Sequence, residues 1–194
     1  MSPQLTPKDF TAPPIPKIGD RRKNKIHLAA GRAIHQWEVV EHHLGQLFAT
    51  LLGTAVPIGA LRVYGSTTGY SVRQQMLIQA AMALFHYQAN EALHAEFLRV
   101  VKQIGDPASG RRNEIAHGLV VGEHRPDHPM RYFLVPSYHS VKKRDFDAKP
   151  AYKYTAKEIE GFTNKYRLLA GEVHRLNMAI SDWRATWPKK PHVP

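Results

Sequence analysis

The chain has 194 residues, and its 27 lysines and arginines outnumber its 16 aspartates and glutamates, which gives a formal net charge of +11 at pH 7. It contains no cysteine, so disulfide bonds, cysteine-ligated zinc and thiol catalysis are excluded. No apolar run approaches the ~20 residues of a membrane span, and the N-terminus lacks the pattern of a secretory signal, so a cytoplasmic protein without membrane contacts is expected. The positive charge favours polyanionic partners, RNA or DNA ahead of an anionic membrane surface, although a basic surface that only keeps the protein soluble explains it equally well.

Proline sets both ends of the chain apart from the rest. Residues 1–19 carry five prolines and little apolar content, which predicts a flexible arm outside the core. Residues 188–194 predict a similar flexible tail. Between them we find no repeat and no linker, so a single domain is expected over residues 20–187.

Helical periodicity begins at about residue 22. Apolar residues three and four positions apart predict a first long helix that ends at Gly53 and Pro57. Its repeating apolar positions are Ile34, Trp37, Val40, Leu44, Leu47 and Leu51. The glycine-rich segment 59–71 is predicted to be a loop. Two more helices follow, on Val72, Met76, Ala80 and Leu84 and on Leu93, Phe97, Val100 and Ile104, before a break at residues 105–107.

The second half of the chain changes character. Residues 109–117 predict a short helix, with Gly118 as its C′ stop, and the β-rich runs 119–122 and 131–135 predict a hairpin. A last long helix opens at Thr155, where T-A-K-E forms a capping box with Glu158 at N3. The predicted fold is therefore all-α, an antiparallel helical bundle with a small β-hairpin inserted before the last long helix.

The densest cluster of reactive side chains is R-R-N-E-I-A-H-G at residues 111–118. On a helix Asn113 and His117 share a face, and Arg112 lies about 7.5 Å from His117 along the axis. Arginine offers a charged fork of donors to phosphate oxygens, histidine exchanges a proton near neutral pH, and asparagine hydrogen-bonds a hydroxyl or the imidazole.

These residue types suit a phosphodiester. RNA carries its own nucleophile in the 2′-hydroxyl, so a base, an acid and a cation suffice, and no metal or other cofactor is expected. A plainer interpretation of the same residues is a basic helix start followed by a C-terminal histidine that favours the helix dipole.

The string R-N-E-I-A-H-G, placed after three amphipathic helices, resembles the Arg-x4–6-His signature of HEPN domains. The helix W-E-V-V-E-H-H-L-G-Q-L-F-A-T-L-L also resembles the first helix of bacterial members. The resemblance covers roughly residues 25–183. It implies a helical bundle, usually dimeric, with paired motifs in the interface cleft, and Arg112, Asn113 and His117 as site residues. Many members are metal-independent RNases of toxin–antitoxin, abortive-infection or CRISPR-linked systems, while others have lost activity and serve as binding modules.

We therefore expect a metal-independent endoribonuclease with a composite site at a homodimer interface. One chain brings a single histidine to the motif, whereas cleavage needs both an acid and a base, and a second copy supplies the other. An antitoxin protein would be a further partner. The alternative is a non-catalytic HEPN-like module that binds RNA, a nucleotide or a protein through the same cleft.

Glu41 lies on the apolar stripe of the first helix, and a carboxylate there needs a partner if it is buried. Arg112 is the candidate partner, and a solvated position at the helix edge is the alternative. A single Glu-x-x-His element at residues 91–94 falls short of the two that a di-metal bundle requires. No metal site is predicted.

Two further basic segments are candidate RNA contacts. Lys142, Lys143 and Arg144 have three tyrosines nearby for base stacking, Tyr138, Tyr152 and Tyr154. The start of the first helix carries Arg21, Arg22, Lys23 and Lys25. For both segments, solvated positive charge without a partner is the alternative.

Overall fold

The computed structural model describes residues 4–54, 56–67, 69–126, 128–137 and 150–188. This part of the chain is mostly helical and carries one small antiparallel hairpin, as the sequence predicts. The helices are α1 (Lys23–Leu52), α2 (Pro57–Gly65), α3 (Tyr70–Tyr87), α4 (Glu91–Gln103), α5 (Gly110–His117) and α6 (Ala156–Ala185), and the strands are β1 (Gly118–Arg125) and β2 (His128–Pro136).

The chain folds into two compact units. The first is built from Met1–Val40 and Gln103–Leu169, and the second from Glu41–Lys102 and Ala170–Pro194. The long helices α1 and α6 contribute to both units. No helix within the described ranges is sufficiently long and apolar to cross a membrane.

The first long helix ends where the sequence predicts. Gly53 has a φ of 65°, a left-handed conformation that glycine adopts without steric cost, and its amide donates to the carbonyl of Ala49 at 3.0 Å. Pro57, in contrast, begins a new helix, because its fixed φ suits the first helical position.

The prediction of a loop over residues 59–71 is wrong for its first half, which belongs to α2. Ala60 and Tyr64 are four residues apart, and both are buried. Burial of this one apolar edge outweighs the helix-weakening effect of Gly59 and Gly65, whose positions are open to solvent.

Aromatic contacts connect the helices of the second unit. Phe48 of α1 packs 5.5 Å from Tyr64 of α2, and Phe85 of α3 stacks 5.7 Å from Trp183 of α6. Helix α4 is joined to α6 by an ion pair between Arg99 and the buried Glu172. On α3 the predicted apolar positions Ala80 and Leu84 are buried, whereas Val72 is 50% exposed, so the helical periodicity predicts this face only in part.

The predicted break after α4 is present. Gly105 leaves helical geometry with a ψ of −143°, within a π-helical turn at Ile104–Ser109 that also contains Pro107. Helix α5 starts directly afterwards and ends at His117, as predicted.

Gly118 does not act as a left-handed C′ stop, and that prediction is wrong. Its backbone is extended, with a φ of −76° and a ψ of 154°, and it is the first residue of β1, paired with Pro136. A Cβ atom here would lie 2.7 Å from Cγ of Leu134 and 2.8 Å from the carbonyl oxygen of Glu114. Glycine is therefore needed at this position for close packing between α5 and β2.

The start of α6 follows the predicted capping box. The Thr155 amide donates to Oε2 of Glu158 at 2.7 Å, and the two side chains are also hydrogen-bonded. Asp20 adds a cap, since its carboxylate accepts from the Ala156 amide at 2.7 Å.

The N-terminal segment packs into the first unit, contrary to the prediction of an arm outside the core. Phe10 is 1% exposed and stacks 5.9 Å from Tyr166 of α6. Leu5 is also buried, and its carbonyl accepts a hydrogen bond from the Gln103 side chain. Pro7 begins a 3-10 turn at Pro7–Phe10, and burial of Leu5 and Phe10 holds the segment in place.

Candidate functional site

Helix α5 carries the three predicted site residues, and other residues of the same helix anchor it to the first unit. Ile115 is buried in the first unit. On the same side, Oε2 of Glu114 lies 2.9 Å from Nη1 of Arg111 and accepts a hydrogen bond from the Tyr154 hydroxyl at 2.5 Å. The Tyr152 hydroxyl donates to the Glu114 backbone carbonyl at 3.0 Å. These bonds define the orientation of the helix.

The predicted site residues lie on the outer side of the helix. Asn113 and His117 are exposed, and the Arg112 side chain is 30% exposed. Nη1 of Arg112 donates to Oδ1 of Asn113 at 3.1 Å, and Nη2 lies 3.7 Å from Oε1 of Glu38. Arg112 and Asn113 are thus in direct contact, and His117 lies one helical turn beyond Asn113.

The contact between Arg112 and Glu38 is weak, because both side chains are solvated and the distance is long. The Nε atom of Arg112 is buried and has no hydrogen-bond partner among the described residues. Arg112 therefore loses only a weak contact when a phosphate replaces Glu38 at its guanidinium, and it gains charge-assisted hydrogen bonds to the phosphate oxygens.

The side chains that anchor α5, those of Glu114, Tyr152 and Tyr154, have raised pKa values. Burial raises the pKa of the Glu114 carboxyl, while the hydrogen bond from Tyr154 and the charge of Arg111 act against the increase. Burial likewise raises the pKa of Tyr154, and it raises the pKa of Tyr152 to about 12, with Glu114 as the next cause. Both tyrosines stay protonated near neutral pH, so their hydroxyls act as hydrogen-bond donors.

Glu41 is buried, as its place on the apolar stripe indicates, but its partner is Arg73. Oε2 of Glu41 accepts from Nη1 of Arg73 at 3.1 Å. The remaining donors of Arg73 are directed to the Thr67 carbonyl, at 3.1 and 2.8 Å. Glu41 therefore belongs to a structural ion pair of the second unit, and orienting Arg112 is not its role.

The prediction that tyrosines near the basic segment stack on RNA bases is wrong for Tyr152 and Tyr154. Lys142, Lys143, Arg144 and Tyr138 lie outside the described residues. Tyr152 and Tyr154 are buried and occupied by the Glu114 network, so neither ring is available to stack on a base. Within the described ranges, no three histidine, aspartate or glutamate residues come together in a group that could hold a metal ion.

The sequence does not predict the role of three residues that anchor α5, Arg111, Glu114 and Tyr154, the last of which was predicted to stack on a base. The spacing of Arg111 and Glu114 at i and i+3 is a readable signal for a helical ion pair. Tyr154 carries no such signal, because it lies 40 residues from Glu114 along the chain.

No protein-family model, curated protein or solved structure matches this chain. Its membership of the HEPN family therefore stays a prediction. Chemically, the surface of α5 offers a cation, an amide and a histidine within two helical turns, in a protein of formal net charge +11.

Proposed function

We propose that the protein is a metal-independent endoribonuclease of the HEPN type, with a site made by Arg112, Asn113 and His117 from each of two copies. The observation that carries the proposal is that Asn113 and His117 are exposed and Arg112 is partly exposed on one short helix whose opposite side is held by the Glu114 network. A firmly held helix keeps reacting groups in place, which favours catalysis.

In the proposed reaction one His117 removes the proton of the 2′-hydroxyl. The 2′-oxygen attacks phosphorus, the bond to the 5′-oxygen breaks, and the His117 of the second copy protonates that leaving oxygen. Arg112 stabilises the charge on the phosphorane oxygens. Asn113 positions the substrate hydroxyl or the imidazole. The products are a 2′,3′-cyclic phosphate and a 5′-hydroxyl.

The charge distribution of the first unit supports an RNA substrate. All four cationic residues at the start of α1 are exposed: Arg21, Arg22, Lys23 and Lys25. Exposed cations of this kind bind phosphates through counterion release, irrespective of base sequence. Weakening of RNA binding by salt is therefore expected.

The central experiment is cleavage of a labelled single-stranded RNA by purified protein in EDTA. We expect Arg112→Ala and His117→Ala each to lower the rate by about a hundredfold or more. Arg62→Ala and His86→Ala remove the same residue types from exposed positions on α2 and α3 and should leave the rate unchanged. Cleavage that survives both α5 substitutions rules out this site.

The composite nature of the site has its own test. Heterodimers of wild-type and His117→Ala chains, isolated through two different affinity tags, contain one histidine per interface. Because acid and base come from different copies, they should be nearly as inactive as the His117→Ala homodimer. A heterodimer with half of the wild-type rate, or an active monomer in light scattering, contradicts the shared site.

One observation favours the alternative of a non-catalytic module that binds RNA, a nucleotide or a protein. Arg112 already has partners in its own chain, Asn113 and Glu38. In that case the protein binds RNA with unchanged affinity in His117→Ala and yields no product. A protein partner, including a small antitoxin, would protect the α5 surface from hydrogen exchange.

A further inference from the structure

A polar cavity of about 470 Å³ lies in the second unit, beside the end of α1 and the C-terminal part of α6. Its size falls within the range of small-molecule sites. Six polar side chains line it: Gln46, Thr50, Thr54, Asn177, Ser181 and Arg184. No aspartate or glutamate is present among the described residues of this lining.

Arg184 brings positive charge to the cavity without a counter-charge. Nη1 donates to the carbonyl of Leu51 at 3.0 Å, and the guanidinium lies 4.9 Å from the centre of the Trp187 ring. No carboxylate is within 4 Å of it in the part of the chain described by the structure. Burial lowers the pKa of Arg184, as expected for a cation that loses water and gains no anion.

The backbone at Gly53 leaves room for the Arg184 side chain. The guanidinium lies directly against Gly53, where any Cβ atom would overlap it. Gly53 therefore serves two purposes, the left-handed end of α1 and room for the arginine. An arginine held in this way has its remaining donors pre-organised for a ligand.

The other side chains define what a ligand must offer. Oδ1 of Asn177 is buried and has no hydrogen-bond partner among the described residues, and an unmade bond of this kind is costly. Nδ1 of His43 lies 3.1 Å from Oε1 of Gln46, which leaves the Gln46 amide nitrogen as a donor. The ligand therefore needs an anionic group and, beside it, a hydroxyl or N–H donor for Asn177.

We propose that this cavity binds a small phosphate monoester that carries hydroxyl groups, such as a sugar phosphate or a mononucleotide. Arg184 and the hydroxyls of Thr50 and Ser181 hold the phosphate oxygens. A sugar hydroxyl donates to Oδ1 of Asn177. The site belongs to the second unit and does not depend on the ribonuclease proposed for α5.

The test is isothermal titration of the full chain with ribose 5-phosphate, AMP, ribose and inorganic phosphate. We expect one molecule of ribose 5-phosphate or AMP per chain, and binding of ribose or phosphate alone to be weaker by about tenfold or more. The tighter of the two esters identifies the ligand as a sugar phosphate or a nucleotide. The proposal is overturned if neither ester binds, or if inorganic phosphate binds as tightly as the esters.

Two substitutions in the lining, Ser181→Asp and Asn177→Leu, and one control outside it, Ala179→Asp, test whether the ligand binds in the cavity. Ser181→Asp adds a carboxylate to the lining while leaving the bond from Arg184 to Leu51 intact, and it should weaken ester binding by about tenfold or more. Ala179→Asp adds the same charge at an exposed position of α6 outside the lining and should have no effect. Asn177→Leu should weaken the esters and leave phosphate unchanged. Equal affinities for Ser181→Asp and Ala179→Asp, with both variants folded by circular dichroism, refute this location.

Discussion

The hydroxyl of Tyr154 donates a hydrogen bond of 2.5 Å to Oε2 of Glu114 and accepts one of 3.0 Å from Nη1 of Arg111. Tyr154 also forms an antiparallel backbone bridge with Leu134 of β2. A single buried side chain thus connects the hairpin to the underside of α5, the helix whose outer side carries Arg112, Asn113 and His117. A continuous set of hydrogen bonds therefore links the hairpin to α5 within the first unit.

Tyr154→Phe tests how much this network contributes to stability. The substitution keeps the ring but leaves the half-buried Glu114 carboxylate without its shortest hydrogen bond, so the free energy of unfolding should fall by about 1–2 kcal/mol. Urea denaturation measures the change. Tyr87→Phe removes a hydroxyl from a side chain that is 80% exposed and should be neutral. Equal stabilities of the two variants would show that the network contributes nothing.

The raised pKa of Glu114 predicts a pH dependence of stability. The folded state binds the Glu114 proton more tightly than the unfolded chain does. Protonation of Glu114 therefore stabilises the fold fully below the ordinary pKa of 4.5, and this contribution is lost as pH rises through the raised pKa of the folded state. The free energy of unfolding of wild type minus that of Glu114→Gln should therefore decrease between about pH 4 and pH 7. Urea titrations at several pH values measure this difference, and a level or increasing curve contradicts the prediction.

Gly118→Ala should destabilise the protein by about 1–3 kcal/mol, because the added methyl group meets Leu134 and the Glu114 carbonyl. Gly31→Ala is the matched control, since a Cβ at this exposed position of α1 has no neighbour within 4 Å. It should stabilise the helix by about 0.5–1 kcal/mol. Thermal unfolding measures both changes, and a shift of the same sign for the two variants argues against the close contact at Gly118.

The N-terminal segment should contribute measurably to stability. Phe10→Ala removes a ring stacked on Tyr166 and should lower the free energy of unfolding by about 3 kcal/mol. Ile15→Ala truncates a side chain of the same segment that is 51% exposed and should be nearly neutral. A neutral Phe10→Ala would restore the original prediction that this segment lies outside the core.

Much of the fold could be predicted from the sequence because its signals are local. The end of α1 at Gly53 and the capping box of Thr155 and Glu158 involve groups a few residues apart. The hairpin and α5 follow from short patterns of the same kind. The placement of Asn113 and His117 on one face of α5 was also readable, since a helix brings residues four positions apart together; their role as a site, with Arg112, stays a prediction.

Tertiary structure decided which groups are partners. Glu41 and Arg73 are separated by 32 residues and Glu114 and Tyr154 by 40, and no periodicity relates positions so distant along the chain. The burial of Phe10 and the formation of α2 depended likewise on the apolar surfaces offered by other segments. The sequence by itself determined where helices begin and end and which residues share a face. The folded chain determined which charges are paired, because pairing depends on distances in space that only packing of the core sets.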